Sequence, residues 1–308
     1  MLYFCLMVLV VSLFFLAGVR ILSTRRQFYN DYTASIADKI TRLESITEPK
    51  VILVGNSNVA FGIDSSILEE ALDMPVVNLG LHGGLGEVFH YNMAKRNIRQ
   101  GDLVVLLNTH FGDGLITQTA EAWTAVESGS DYWKFVPPKN WLDMILSFPT
   151  HIENSINAAM EKRAEGLTGG MYARSAFNEY GDNSYAREEG HYNFSKHNVS
   201  APGVTKEGIS EINKFNAFCQ QQGASCLLAA YPIAFGEFTA PEEEFLRMQQ
   251  KLRETLDCPV ISDYTDYFFD YQYFYDTQYH LTTEGTRLRT EQLAKDILHW
   301  QAGNTNNS

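Results

Sequence analysis

Residues 51–64, with the sequence VILVGNSNVAFGID, join a short apolar run to a polar turn. The run VILV suits a strand that is buried on both faces of a parallel sheet. Gly, Asn and Ser all favour turns, so one interpretation of the following Asn-Ser-Asn (56–58) is a tight turn and nothing more. The other interpretation is a nucleophile, Ser57, presented at the carboxyl end of a strand, where such sheets bind their ligands.

Strand-like runs alternate with helical stretches along most of the remaining chain. Apolar or β-branched runs predict further strands, and apolar residues at helical spacing predict the helices between them. This alternation is typical of an α/β fold with a parallel sheet. The predicted strands after 51–55 are 74–80, 101–108, 226–233 and 259–264, and the predicted helices include 64–72, 241–255 and a last helix from Thr282 or Thr283.

The alternation is interrupted between the third strand and the helix that begins near residue 208. A connection as long as residues 112–205 is uncommon in compact domains, and such connections usually form lids or inserted subdomains. Before the first strand, Ile36, Ile40 and Leu43 recur on one face of a predicted helix. The predicted segments are an anchor (1–22), a stalk helix (23–49), an α/β domain (50–300) with an insertion (112–205), and a flexible tail (301–308).

The first nineteen residues contain no charged side chain. This length approaches the ~20 apolar residues that cross a bilayer, so the run predicts a single-pass membrane anchor. A cleaved signal peptide is the alternative, because Leu16-Ala17-Gly18 resembles a small-residue cleavage site. The basic residues Arg20, Arg25 and Arg26 follow the span, and the positive-inside rule would keep that side in the cytoplasm.

Composition excludes some functions. The formal net charge of −13 argues against nucleic-acid binding, which needs a basic face. No His, Asp or Glu cluster has convincing metal-ligand spacing, so neither a metal nor a cofactor is predicted. Cys219 and Cys226 are close enough in sequence to form a disulfide in an exported domain, or to remain buried reduced thiols.

Two further motifs follow predicted strands. The turn NLGLHGGLG (78–86) is rich in glycine, which lets backbone N–H groups approach a ligand closely, although a tight strand–helix junction would need the same residues. Near the other end, DTQYH (276–280) places Asp276 and His280 just before the last helix. Such a pair can activate a serine, since the base takes the serine's proton and the carboxylate fixes the tautomer of the base.

Taken together, these motifs resemble the SGNH (GDSL-like) hydrolase superfamily over about 51–110 and 206–298. In that family a serine follows the first strand, an Asn-x-Gly-x-x-Gly turn follows the second, and an Asp/His pair precedes the last helix. This sequence departs from the pattern in two places. Asn56 stands where the family usually has Asp, and Asp276 lies four residues before the histidine rather than three.

The resemblance implies a flavodoxin-like three-layer sandwich and a catalytic set of Ser57, His280 and Asp276. It further implies that the N–H groups of Ser57 and Gly83 bind the oxyanion. A third block of the family, Gly-x-Asn-Asp, is poorly matched by LLNTHFGDG (106–114). Asn108 is the candidate oxyanion donor there, about three positions early, and His110 and Asp113 either line the site or complete the turn.

In function, the resemblance implies a serine-dependent acyl esterase or O-acyltransferase acting on a cell-envelope polysaccharide or related polymer. The sequence resembles in particular the membrane-anchored proteins of teichoic acid D-alanylation and alginate acetylation. Expected partners are therefore an acylated glycan or acyl donor and a membrane-bound acyltransferase, with the soluble domain on the non-cytoplasmic side. The alternative is a catalytically inactive scaffold or glycan-binding partner in an acyltransferase complex, which the departures from the motifs favour.

Overall fold

The computed structural model describes residues 1–21, 28–112, 119–160 and 170–305. In that part of the chain, α-helices and strands alternate as the sequence predicts. The helices are α1 (Leu2–Ile21), α2 (Ile36–Ser45), the single turn α3 (Ser57–Ala60), α4 (Ser65–Leu72), α5 (Glu87–Ala94), α6 (Thr119–Glu127), α7 (Trp141–Met160), α8 (Lys206–Gln221), α9 (Glu242–Thr255) and α10 (Thr283–Thr305). The strands are β1 (Val51–Val54), β2 (Val76–Asn78), β3 (Leu103–Leu106), β4 (Ser225–Leu228), β5 (Ile233–Ala234) and β6 (Phe268–Phe269).

A four-stranded parallel sheet lies at the centre, in the order β2–β1–β3–β4. Side chains of β1 alternate between two apolar cores, one on each face of the sheet. Ile52 and Val54 contribute to the core that includes residues of α2, α5, α8 and α9. Val51 and Leu53 contribute to the core that includes residues of α4 and α10. The protein is thus an α/β fold with helices on both sides of a parallel sheet, as predicted.

The predicted fifth strand, 259–264, is reduced to a single parallel bridge between Leu228 and Val260. Pro259 cannot donate a ladder hydrogen bond, and a 3-10 helix begins soon afterwards at Tyr264. The pair β5–β6 forms a separate two-stranded sheet. At the carboxyl end of the chain, α10 continues to Thr305, into the segment that the sequence assigned to a flexible tail.

The N-terminal prediction needs correction. Among the described residues, no helix combines the length and the apolar character that a membrane crossing requires. The prediction of a membrane-anchored protein with a single-pass span over 1–22 is therefore wrong.

The helix predicted within the stalk is α2, and it packs against the sheet. Ile36, Ile40 and Leu43, which share one face, are all buried in the main core. The buried Lys39 on the same helix donates hydrogen bonds to the carbonyl groups of Asn78 and Gly181. This lysine therefore connects the end of β2 to the insertion.

The insertion between β3 and α8 contains α6, α7 and several short 3-10 turns. A parallel bridge between Phe111 and Val204 brings its two ends together. An antiparallel bridge between Asp31 and Ala173 attaches it to the segment before α2. The insertion is thus joined to the α/β core at several places, and part of it reaches the carboxyl ends of the strands.

Candidate active site

Ser57 lies at the carboxyl end of β1, as the first residue of the one-turn helix α3. Asn56 caps this helix, and its Oδ1 accepts hydrogen bonds from the backbone N–H of Asn58 at 3.0 Å and from Nδ2 of Asn58 at 2.8 Å. The Ser57 side chain is partly exposed. Its Oγ has no hydrogen-bond partner among the described residues, so it is available to a ligand.

The two asparagines around Ser57 hold the turn in place. Asn58 Nδ2 donates to the carbonyl of Leu107 at 2.9 Å, which ties the turn to the end of β3. From α10, the fully buried Arg289 donates through Nη2 to Asn58 Oδ1 at 2.6 Å and through Nη1 to the Asn58 carbonyl at 2.5 Å. Gly55 is required here, because a Cβ would lie 2.9 Å from the Leu107 carbonyl oxygen. The Asn-Ser-Asn sequence thus fixes the backbone on both sides of Ser57.

Gly83 lies beside this turn, whereas the side chain of Asn108 is directed away from it. A Cβ on Gly83 would be 3.6 Å from the Cβ of Asn56. Asn108 is fully buried, and its Nδ2 donates to the hydroxyl of Tyr91 in the core. Thr109, the next residue, contacts the turn instead: its Oγ1 accepts from Asn56 Nδ2 at 2.6 Å.

The late Asp/His pair forms as the sequence predicts. His280 Nδ1 lies 2.9 Å from Asp276 Oδ1, and His280 is only 5% exposed. The imidazole stacks on the ring of Phe61, with 4.4 Å between ring centroids. Phe61 directly follows α3, and its N–H donates to the Ser57 carbonyl at 2.9 Å. The pair therefore packs against the same turn that presents Ser57.

Tyr172, in the insertion, is a site residue that the sequence did not reveal. Its hydroxyl donates to Asp276 Oδ2 at 2.6 Å and lies 3.2 Å from His280 Nδ1. The two oxygens of Asp276 are thus shared between His280 and Tyr172. No local pattern marks Tyr172, because its partner is 104 residues away in sequence.

Burial and hydrogen bonding set the charges of the pair. Burial raises the pKa of Asp276, but the hydrogen bonds with His280 and Tyr172 outweigh it and bring that pKa below its ordinary value. Burial lowers the pKa of His280 more than the neighbouring Asp276 raises it. At neutral pH the site therefore holds an aspartate next to a neutral histidine. A neutral histidine can accept a proton, as a general base must.

A buried arginine from the insertion holds the loop of His280. Arg187 donates through Nε to the carbonyl of Leu281 at 2.8 Å and through Nη2 to the carbonyl of Phe61 at 3.2 Å. Its Nη1 is anchored on Asn183 Oδ1 at 2.7 Å. Burial lowers the pKa of Arg187 to about 10, which leaves the guanidinium charged at neutral pH. The arginine thus links the insertion, the His280 loop and the end of the Ser57 turn.

The remaining candidates lie around this site or outside it. His110 Nδ1 is 2.7 Å from Thr109 Oγ1, which places His110 at the edge of the site. Asp113 lies outside the described residues. The structure describes no group of three or more His, Cys, Asp or Glu side chains that could hold a metal ion. Cys219 and Cys226 are both buried free thiols.

Comparison of the chain with models of known protein families, with curated proteins and with solved structures gave no match. The SGNH resemblance therefore stays a prediction from the motifs. What the site can do chemically follows from its own groups: a serine hydroxyl without a partner in the described part of the chain, a histidine–aspartate pair against the same turn, and a glycine backbone beside it.

Proposed function

We propose that this protein is a serine-dependent acyl esterase or O-acyltransferase whose substrate is an acylated polysaccharide or related polymer. The observation that carries the proposal is the buried Asp276–His280 pair, stacked on Phe61 next to the turn of Ser57. A neutral histidine held by an aspartate is the arrangement that activates a serine for attack on an acyl carbonyl.

In this proposal Ser57 Oγ attacks the acyl carbonyl and His280 Nε2 takes the proton. Asp276 keeps the other imidazole proton on Nδ1 and stabilises the imidazolium that forms. His280 then gives its proton to the departing alcohol, and water or a sugar hydroxyl takes the acyl group from Ser57. The N–H groups of Ser57 and Gly83 stabilise the oxyanion, at roughly 3–4 kcal/mol per donor. Asn108 would have to release Tyr91 to join them.

The strand order of the fold also favours a more specific proposal, that the chain is a member of the SGNH superfamily. The order β2–β1–β3–β4, extended by the bridge from Leu228 to Val260, agrees with the order 2-1-3-4-5 of a flavodoxin-like sandwich. Ser57, Gly83 and His280 come from the same positions in chain order as in the SGNH superfamily. These agreements favour membership of that superfamily and the acyl chemistry that it implies.

The test is covalent labelling of the full-length chain with a fluorophosphonate, which reacts with activated serines. We expect labelling of the wild type and none of Ser57→Ala. Ser66→Ala is the matched control, because Ser66 is an exposed serine bonded only to Asp64 and should not affect labelling. Labelling that persists in Ser57→Ala would refute the assignment of the nucleophile.

A second function, glycan binding or scaffolding without catalysis in an acyltransferase complex, is favoured by one of two observations on the site. Among the described residues no hydrogen bond joins Ser57 to His280, and the Asn108 amide is occupied by Tyr91. Catalytic hydrogen bonds often form only in the substrate complex, so the first observation is common to both functions. A folded wild type that the fluorophosphonate does not label would favour this second function.

A further inference from the structure

The side chain of Asn56 connects the loops that follow three neighbouring strands. Asn56 itself directly precedes Ser57 at the end of β1. A Cβ on Gly83, in the loop after β2, would be 3.8 Å from Asn56 Nδ2. The same Nδ2 donates to Oγ1 of Thr109, which follows β3, at 2.6 Å. The residue after Thr109, His110, is therefore next to the place where the Ser57 and Gly83 turns meet.

The imidazole of His110 lies near both halves of the candidate active site. On one side, its Nδ1 is 2.7 Å from Oγ1 of Thr109, which contacts the Ser57 turn through Asn56. On the other side, its ring is 6.4 Å from the ring of Tyr279, centroid to centroid, and Tyr279 directly precedes His280. His110 is also exposed, so a substrate can reach it.

The hydrogen bonds around Thr109 fix which nitrogen of His110 carries the proton. Asn56 Oδ1 accepts two hydrogen bonds from Asn58, so the donor Nδ2 of Asn56 faces Thr109. The hydroxyl of Thr109 is buried, and its proton has no acceptor other than His110 Nδ1 among the described residues. Because buried hydroxyl groups almost always find a partner, Nδ1 accepts this proton. The neutral imidazole then carries its own proton on Nε2.

The Nε2–H of His110 is a donor that the described part of the chain leaves without an acceptor. Partial burial of the ring lowers the pKa of His110 below its ordinary value, so the imidazole is neutral at neutral pH. Its Nδ1 is already occupied by Thr109, so His110 can donate a hydrogen bond but is not free to act as a second base. Asn108 offers no such donor, because its amide faces Tyr91 in the core.

We propose that His110 is a further catalytic residue, whose Nε2–H donates a hydrogen bond to the oxyanion formed when Ser57 attacks the acyl carbonyl. It acts together with the backbone N–H groups of Ser57 and Gly83, so that each of the three central strand ends supplies one donor. His110 transfers no proton in this step. The proton of Ser57 goes to His280 and then to the departing alcohol, and the carbonyl re-forms while His110 keeps its Nε2–H. This inference rests on the proposed function and deepens it.

The first experiment compares rates of fluorophosphonate labelling in the full-length protein, since the phosphoryl oxygen of the probe occupies the position of the oxyanion. Loss of one oxyanion donor slows catalysis by about 10²-fold or more, and we expect labelling of His110→Ala to slow by about 10²-fold. His110→Gln keeps an N–H donor and should recover about tenfold of that loss. Equal loss in both variants would mean that packing of the ring matters rather than its donor, and would overturn the proposal.

His197→Ala is the matched control. His197 is also an exposed histidine beside a tyrosine ring, with 5.3 Å between its centroid and that of Tyr192, but it does not contact Thr109 or the Ser57 turn. Its labelling rate should equal that of the wild type. Because His110 is exposed, His110→Ala should keep the melting temperature of the wild type, so that a slower rate reports on the site.

The second experiment observes the His110 nitrogens directly, by NMR of full-length protein with ¹⁵N-labelled histidine. The signals of His110 are those that disappear in His110→Gln. We expect Nδ1 to be unprotonated and Nε2 to be protonated at pH 7, and the Nε2–H proton to move downfield when the fluorophosphonate adduct forms on Ser57. The opposite tautomer, or an Nε2–H signal that the adduct leaves unchanged, would contradict the assigned role.

The outcomes separate this inference from the proposed function. Wild type and His110→Ala labelled on Ser57 at the same rate would remove the role of His110 and leave the serine chemistry standing. A folded wild type that is not labelled at all would remove the proposed function, and the oxyanion role of His110 with it.

Discussion

The Ser57 turn and the His280 loop form the two halves of the candidate active site, and different parts of the chain hold them. Both are fixed by a buried arginine. Arg289 comes from α10 and binds Asn58 within the α/β core. Arg187 comes from the insertion and binds the carbonyl groups of Leu281 and Phe61.

The difference teaches that Ser57 and His280 are held largely by different parts of the chain. Contacts from the end of β3 and from α10 hold Asn58 beside Ser57, and the insertion contacts the far end of the turn, where the N–H of Asn183 donates to the Ala60 carbonyl at 2.8 Å. The Asp276–His280 pair, in contrast, depends on Tyr172 and Arg187, which both belong to the insertion. The insertion is therefore part of the candidate site, and changes in it should affect the base while leaving the sheet intact.

The largest effect on the labelling rate is expected from a change in the Asp276–His280 pair. Asp276→Asn removes the charge that holds the His280 tautomer, and we expect fluorophosphonate labelling of Ser57 to slow by about 10⁴-fold. Asp270→Asn is the matched control, because Asp270 caps a nearby 3-10 turn through Gln272 and does not contact the pair. A change of less than tenfold for Asp276→Asn would show that the pair does not activate Ser57.

Replacing the two arginines tests the comparison directly. Arg289→Met leaves several buried acceptors in the core unpaired, and we expect the free energy of unfolding to fall by about 3 kcal/mol. Arg187→Met should abolish rapid labelling while amides of β1 and β3 keep their protection from hydrogen exchange. If Arg187→Met exposes those strands as much as Arg289→Met does, the insertion and the core are one structural unit and the comparison fails.

Much of the fold could be predicted because its signals are local. The VILV run of β1 and the apolar run of β3 have no polar side chain to face water, and all their residues are buried. Such runs predict a parallel sheet covered on both faces. The apolar face of α2 was also visible in the sequence. What covers that face depends on contacts with the sheet, which no spacing within the helix reveals.

The site was predicted as far as its residues are close in sequence. The Asp276–His280 contact spans four residues, whereas Tyr172 reaches Asp276 from a segment without a periodic pattern. At the end of β3, successive side chains point in opposite directions. The Asn108 side chain therefore contacts Tyr91 in the core, and that of Thr109 contacts Asn56 at the Ser57 turn. A family motif does not fix which of two neighbouring side chains faces the site, because a shift of one residue along the strand exchanges the two directions.

A smaller effect is expected from Tyr172→Phe, which keeps the ring and removes the hydroxyl that donates to Asp276. This hydrogen bond helps to orient the Asp276 carboxylate towards His280, and because such bonds to charged groups contribute about 1.5–3 kcal/mol, loss of that orientation should slow labelling by about tenfold. Because the pKa of His280 is below its ordinary value, wild-type labelling should persist below pH ~6.5. Without the Tyr172 hydroxyl, Asp276 interacts more strongly with His280, which raises the pKa of His280 and moves the acid limb of the rate to higher pH.

Tyr185→Phe is the control for that variant, since Tyr185 is an exposed tyrosine of the same insertion. Its rate and pH profile should match those of the wild type. An unchanged acid limb in Tyr172→Phe, with a slower rate, would mean that the hydroxyl supports the insertion rather than the charge of the pair.

An effect on stability rather than on labelling is expected at Lys39, which joins the core to the insertion through the carbonyl groups of Asn78 and Gly181. Burial lowers the pKa of Lys39 to about 7, below the ~10.4 of an unfolded chain. Between these values the unfolded state binds more protons than the folded state, so this contribution to stability rises with pH. Urea unfolding should therefore show the wild type gaining about 2 kcal/mol over Lys39→Met between pH 7 and 9. The exposed Lys196→Met should show no such gain, and a flat difference for Lys39→Met would mean that the lysine remains charged where it joins the two units.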